Sequence, residues 1–186
     1  MDILINRTVE EFIRATYGEG LIGTIVEELG SADDQHLEGR VHGMRMLDRA
    51  ARRLSKPTVE MLEDLGAWMT RIEAIRRLLR FSGRDFTDFL DRLDEMPGRT
   101  HLVLPGLNLP AIQIEQAGQS RFLTMTPPDP AWRHLMIGMV RGMADDYGAL
   151  CLIATECGVI RVDIWDTSFA EGRDFTLGGP DAGVVQ

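Results

Sequence analysis

Cysteine is almost missing from this 186-residue chain. Cys151 and Cys157 are the two that occur, too few for a disulfide framework, and a reducing compartment is the natural setting. Positive charge is also short: 20 basic against 29 acidic residues leave a net charge of -9 and a pI near 4.9. Nucleic acids and anionic membranes are bound through a basic footprint, so neither is an expected partner. Every basic residue but Lys56 is an arginine; genome composition explains that bias as readily as selection, and it is given no function. No run approaches the roughly 18 apolar residues of a membrane span, and the N-terminus has no signal-peptide pattern, so a cytoplasmic location is expected.

Catalytic signatures are missing as well. Gly18-Glu19-Gly20 has neither the preceding strand nor the third glycine of a phosphate loop, and there is no Gly-x-Ser-x-Gly, Cys-x-x-Cys or His-Glu-x-x-His. No nucleophile, base or metal set assembles, so the chain is read as non-enzymatic. What is present is a core. With 44% hydrophobic and 26% charged residues, the chain suits one compact domain or two closely packed subdomains.

Up to about residue 96 the apolar positions recur at three and four, the period of helices. Ile5, Val9, Phe12 and Ile13 form one stripe, and a second helix carries Leu21, Ile22, Ile25, Val26 and Leu29. Ser31 to Gly39 reads as a loop. Val41 to Leu54 follows, with Met44, Leu47, Ala51 and Leu54 inward and Arg45, Arg49, Arg52 and Arg53 outward as a solvated face. Pro57-Thr58 starts a helix with Met61, Leu62, Leu65, Trp68, Met69 and Ile72 on its apolar side. Ala74 to Phe81 and Phe86 to Met96 complete the set, and Pro97-Gly98 reads as a stop.

Beyond it, Thr100 to Leu104, Ala111 to Gln116 and Arg121 to Thr126 read as strands between turn signals. Pro130 opens a long helix to about Tyr147, and Leu150 to Ala154 with Val159 to Trp165 forms a closing hairpin. Helices first and strands after, with one long helix among them, predict an α+β fold with an antiparallel sheet.

Candidate chemistry is thin. His36 and His42 lack helical metal spacing and a third ligand; His101 falls in a predicted strand and His134 early in the long helix. The acidic pairs Asp91-Asp94 and Asp145-Asp146 are expected to face solvent. Cys151 and Cys157 are read as buried structural thiols. Met69, Met136 and Met139 are placed inward with Trp68, Phe81, Phe86 and Phe89, either as core or as the lining of an apolar pocket.

An ordered set of short segments carries a resemblance. It comprises Leu4-Ile5-Asn6 with Tyr17-Gly18, Leu62-Glu63-Asp64-Leu65-Gly66-Ala67-Trp68, and Arg77-Leu78-Leu79-Arg80-Phe81-Ser82-Gly83. Phe86-x-x-Phe89-Leu90-x-x-Leu93-Asp94-Glu95-Met96, Leu104-Pro105-Gly106-Leu107 and Ile137-Gly138-Met139-Val140-Arg141-Gly142 complete it. Over roughly residues 1 to 165 the chain resembles the haem-nitric oxide/oxygen-binding (H-NOX, or HNOB) sensor family. The resemblance implies a helical N-terminal subdomain (1–97) packed on an α/β subdomain (98–178), together one domain over 1–178, with a tail at 179–186. It implies haem between them and a separate signalling protein, a histidine kinase or a cyclic-nucleotide enzyme, as the output partner.

The resemblance also sets demands. The axial imidazole of the family follows the Leu-Asp-x-x segment, here Leu93-Asp94-Glu95-Met96, and the next residue is Pro97, which has no lone pair for iron. The Tyr-x-Ser-x-Arg motif that holds the haem propionates matches Met125-Thr126-Pro127-Pro128-Asp129, where Asp129 would repel a carboxylate. The distal pocket matches Ile5, Val9, Met69, Leu135 and Met139, none with a hydrogen-bond donor. The expectation is a stand-alone, non-enzymatic sensor or adaptor with a degenerate haem site, its apolar positions filling a core or holding a small apolar ligand. The alternative is a haem-binding nitric oxide sensor with His101 or His134 as substitute axial ligand and Arg121 and Arg133 on the propionates.

Overall fold

The computed structural model describes residues 2–30, 39–103 and 109–166, with side chains over 6–30, 42–102 and 109–165. His36, most of the Ser31 to Gly39 loop, Leu104-Pro105-Gly106-Leu107 and everything from residue 167 onward, including the expected domain end and tail, lie outside the described residues. So does the side chain of Ile5.

The helical half follows its apolar period. Helix α1 (Asp2–Tyr17) buries Val9, Phe12 and Ile13, and Gly18, at φ +94°, turns the chain into α2 (Glu19–Gly30), which buries Ile22, Ile25 and Leu29. Helix α3 (Gly39–Leu54) lays Met46, Leu47, Ala50 and Ala51 inward and leaves Arg45, Arg49, Arg52 and Arg53 exposed; Leu54, expected inward, ends the helix partly exposed. Helix α4 (Thr58–Met69) buries Met61, Leu62, Leu65 and Gly66.

Between α1 and α4 the Tyr17 hydroxyl donates to Asp64 Oδ2 at 3.0 Å, while Lys56 pairs with the same carboxylate. Burial first, then the Asp64 contact, pushes the phenol up to about 12 from 10.0. A raised phenol pKa stabilises the fold fully below pH 10 and loses that contribution as pH climbs toward 12. Tyr17→Phe is expected to flatten the decline in stability over that alkaline window; urea midpoints measured at successive pH values check it.

Helix α5 (Glu73–Arg80) ends one residue before Phe81, which therefore leaves the helical register and stands 86% exposed, against the expectation that it points inward. The single helix predicted over Phe86 to Met96 is broken. Helix α6 (Phe86–Asp91) is capped by Asp85, whose carboxylate accepts from the Asp88 amide at 2.8 Å; a single 3-10 turn, Leu93–Glu95, follows. Helix α7 (Met96–Val103) then begins. Pro97-Gly98, read as a stop, lies within its first turn, where a proline has no intrahelical hydrogen bond to lose. The strand expected over Thr100 to Leu104 is thus helical through Val103, and His101 stands on a helix.

The sheet has four strands among the described residues, all antiparallel: β1 (Ala111–Ala117), β2 (Ser120–Thr126), β3 (Leu150–Glu156) and β4 (Val159–Asp166), in the order β1-β2-β4-β3. Its inner face carries Ile112, Leu123, Met125, Ile160, Val162 and Ile164, all buried. Helix α8 (Pro130–Tyr147) connects β2 to β3; Asp129 caps its start by accepting from the Ala131 and Trp132 amides at 2.9 and 3.2 Å, and left-handed Gly148 ends it. Residues of both halves join one continuous core.

Two further expectations are corrected. Cys157 is exposed at φ +50° in the β3–β4 turn, while Cys151 is half-buried in β3, its thiol pushed up by burial. Asp91 is drawn in by Arg121, and Asp146 by Arg76 at 2.7 Å and Arg80 at 3.7 Å, so neither is a free solvent-facing acid. Phe86, Phe89 and Tyr147 form an aromatic cluster with centroids 5.8 to 6.3 Å apart, and the Tyr147 hydroxyl donates to the Gly83 carbonyl at 2.8 Å.

Candidate functional site

Helices α4 and α8 touch backbone to backbone. A Cβ built on Gly138 would lie 1.8 Å from the Glu63 carbonyl oxygen, and one on Gly66 would lie 2.1 Å from that of Leu135. Gly142, one turn beyond Gly138, faces Thr70, with 2.3 Å to its Oγ1. Only glycine permits such an approach, which is the use that Gly-x-x-x-Gly spacing on α8 serves here. Along the flank of this seam Glu63 receives His134 Nδ1 at 3.1 Å on one oxygen and Arg141 Nη2 at 2.9 Å on the other.

The residues matching the distal pocket, apart from Ile5, lie in or against the common core. Leu135 and Met139 lie on α8 at 7% exposure each, Val9 on α1 at 3%, and Met69 at the end of α4 is half-buried against the same core. They belong to the continuous apolar cluster. Two hollows of about 130 and 280 Å³ on the molecule are lined by none of them.

The polar candidates are dispersed. Pro97 is half-buried in the first turn of α7; His101, four residues on and so along the same side of that helix, is exposed. His134 is held by Glu63 on α8. Arg121 points inward from β2 at 7% exposure, its Nε 2.5 Å from Asp91 Oδ1, its Nη2 3.3 Å from Oδ2 and its Nη1 3.1 Å from the Gly118 carbonyl. Arg133 lines the smaller hollow with Met125, Pro128, Asp129 and Cys157, and its Nε is buried without a hydrogen-bond partner. The structure does not bring His101, His134, Arg121 and Arg133 together around one cavity. Among the described residues no three His, Cys, Asp or Glu side chains cluster to hold a metal ion, and no helix is long and apolar enough to cross a membrane.

Sequence reasoning missed Glu63, which joins α4 to α8 across 71 and 78 residues, and Asp91, the partner of Arg121. It quoted Gly66, Gly138 and Gly142 without their role. The spacing of Gly138 and Gly142 is a signal that could have exposed the close crossing.

A helical lobe joined to a four-stranded antiparallel sheet by one continuous core defines an α+β domain. The chain belongs to the haem-NO-binding (HNOB, or H-NOX) family, whose model, described as Haem-NO-binding, matches residues 4–151. Solved structures agree on the fold. An I5F mutant of the T. tengcongensis H-NOX domain superposes with a TM-score of 0.67 at 11% identity, covering 90% of this chain and 98% of that one. An H-NOX protein from S. oneidensis in the Fe(II)NO ligation state gives 0.67 at 15% identity over 89% and 100%. An oxygen-binding H-NOX domain related to soluble guanylate cyclases gives 0.63 at 16% over 89% and 96%. A comparison with curated proteins returns no match.

Proposed function

We propose that this chain is a non-enzymatic H-NOX signalling domain that works without a haem held in the family's manner and passes its signal through contacts with a separate protein. The observation that carries this reading is Pro97, in the first turn of α7 at the place matching the family's axial imidazole. A tertiary amide nitrogen in a ring cannot ligate iron.

Other positions point the same way. Asp129, at the arginine position of the propionate motif, is spent as the N-cap of α8, a role worth about 1 kcal/mol, and it would oppose a carboxylate. Met125, at the tyrosine position, is 6% exposed on the inner face of the sheet. Of the substitutes, His134 is engaged with Glu63 and Arg121 with Asp91, and His101 faces solvent. Haem does not fit this set of side chains. Leu135 and Met139 are accounted for as core packing on α8 beside α4, and Val9 and Met69 as parts of the same continuous core. The output partner implied by the family, a histidine kinase or a cyclic-nucleotide enzyme, remains part of this proposal.

Protein produced with haem supplied is expected to be folded by circular dichroism and to lack a stoichiometric Soret band. A full-occupancy band abolished by His101→Ala or by His134→Ala would refute the haem-free reading and establish the substitute ligand.

A further inference from the structure

Phe81 is the most exposed large apolar side chain among the described residues, at 86%. The turn that carries it is nevertheless pinned. The Tyr147 hydroxyl holds the Gly83 carbonyl at 2.8 Å, and the Arg80 guanidinium lies 4.0 Å over the Tyr147 ring. The Ser82 hydroxyl donates to the Leu78 carbonyl at 3.1 Å and accepts from Arg99 Nη1 at 2.8 Å. Gly83 approaches α6 so closely that a Cβ there would lie 2.3 Å from the Phe89 amide nitrogen. The ring therefore stands on a fixed base, and covering it costs little further ordering of the chain.

The surface around the ring is positive. Three guanidiniums, those of Arg80, Arg84 and Arg92, and one carboxylate, Asp88, line a hollow of about 280 Å³ beside Phe81. Asp88 serves both Arg92 at 2.9 Å and Arg84 at 3.4 Å, while Arg80 shares Asp146 with Arg76. The two carboxylates are recessed, at 18% and 16% exposure, whereas the Arg84 side chain is 88% exposed. A rigidly presented aromatic ring among outward arginines has the composition of an interface.

We infer that the turn at residues 80–84 is a docking surface for an acidic amphipathic segment of a separate protein, which sets carboxylates in the arginine-lined hollow and an apolar side chain on Phe81. Charge selects the occupant. A second copy seated by two-fold symmetry would bring the same arginines face to face. Nucleic acid or an anionic membrane extends far beyond the screening length of about 8 Å at physiological salt, and would meet a chain whose net charge is -9. A short acidic segment meets the guanidiniums alone. The inference rests on the reading above in one respect, that the signal passes to a separate protein.

The test is fluorescence anisotropy of the full chain with a labelled synthetic amphipathic helix of glutamate and leucine, against the same helix with glutamine for glutamate. The glutamate peptide is expected to bind and the glutamine peptide to bind at least about tenfold more weakly. Phe81→Ala and Arg84→Glu should each weaken binding about tenfold or more, whereas Arg49→Glu, on the exposed face of α3, should leave it unchanged. Phe81 and Arg84 stand in solvent, so both variants should keep the parent's thermal midpoint. No binding, equal binding of the glutamine peptide, or indifference to both Phe81→Ala and Arg84→Glu would each overturn the assignment. So would self-association of the full chain that Phe81→Ala abolishes. Absorbance of the same samples reports haem: a stoichiometric Soret band with peptide binding intact would refute the haem-free reading and leave this surface standing.

Discussion

Gly138→Ala is expected to destabilise the fold by about 2 kcal/mol or more and to lower the thermal midpoint by roughly 5 °C. The sign is the informative part. In an ordinary helix interior, alanine is favoured over glycine by about 1 kcal/mol. At residue 138 the new methyl would sit 1.8 Å from the Glu63 carbonyl oxygen, 2.7 Å from its carbon and 2.9 Å from the Ala67 amide nitrogen. All three are backbone atoms of α4, which cannot rotate aside as a side chain can. The helices must part by more than an ångström, and the buried Leu135, Met139, Leu62 and Leu65 lose packing along with them.

Gly66→Ala, facing the Leu135 carbonyl at 2.1 Å, should behave alike. Gly142→Ala should cost less, because it meets the Thr70 side chain, whose hydroxyl can reorient at the expense of its bond to the Ala67 carbonyl. Thermal unfolding of the three variants tests the ranking. Equal or raised stability in Gly138→Ala would mean that α4 and α8 do not meet backbone to backbone.

That seam bears on the proposed function. The positions matching the family's distal pocket are carried by α1, α4 and α8, and the spacing of α4 from α8 sets how much room they enclose. Glycine at 66 and 138 draws the helices together, Glu63 clasps His134 and Arg141 across them, and Leu135 and Met139 are left in the shared core. A seam closed at two glycines and latched by a carboxylate favours packing over a cavity. The same closeness makes the junction a two-sided element: any partner or ligand that spread α4 from α8 would have to work against both devices.

Much of the fold was legible because periodicity is local. Buried residues at three and four spacing marked α1 to α4, and Pro130 marked the start of α8 as a first-turn proline. The segment around residues 91 to 103 was not legible, because Pro-Gly reads as a stop whereas proline in a first turn starts a helix. Local pattern could not say that the chain resumes helix after a single 3-10 turn. Phe81 misled for a related reason: it is apolar and in phase with α5, yet the helix ends at Arg80. Site residues fared worst, since their partners are distant in sequence. Nothing near His134 announces Glu63, and nothing near Arg121 announces Asp91. Pro97 and Met125-Thr126-Pro127-Pro128-Asp129 were legible as departures because they are judged against a family pattern, position by position.

Arg121→Met is the second large effect expected, a loss of about 3 kcal/mol, the lower end of the range for breaking a buried ion pair. Arg121 is nearly inaccessible, and its Nε, Nη1 and Nη2 are all engaged, two with Asp91 and one with main-chain carbonyls of the β1–β2 turn. Methionine would fill most of the volume but leave the Asp91 carboxylate, 27% exposed at the end of α6, beside an apolar surface. Asp91→Asn strands the charge from the other side and is expected to cost a comparable amount. The double variant Arg121→Met, Asp91→Leu strands neither, so it should be more stable than the sum of the single losses by a kilocalorie or more, about the coupling found between residues in contact. Urea unfolding of the four proteins measures this cycle. A single variant within about 0.5 kcal/mol of the parent would place Arg121 among ordinary surface residues. A large coupling instead means that freeing this guanidinium for a haem propionate would first require breaking the joint between α6 and the inner face of the sheet.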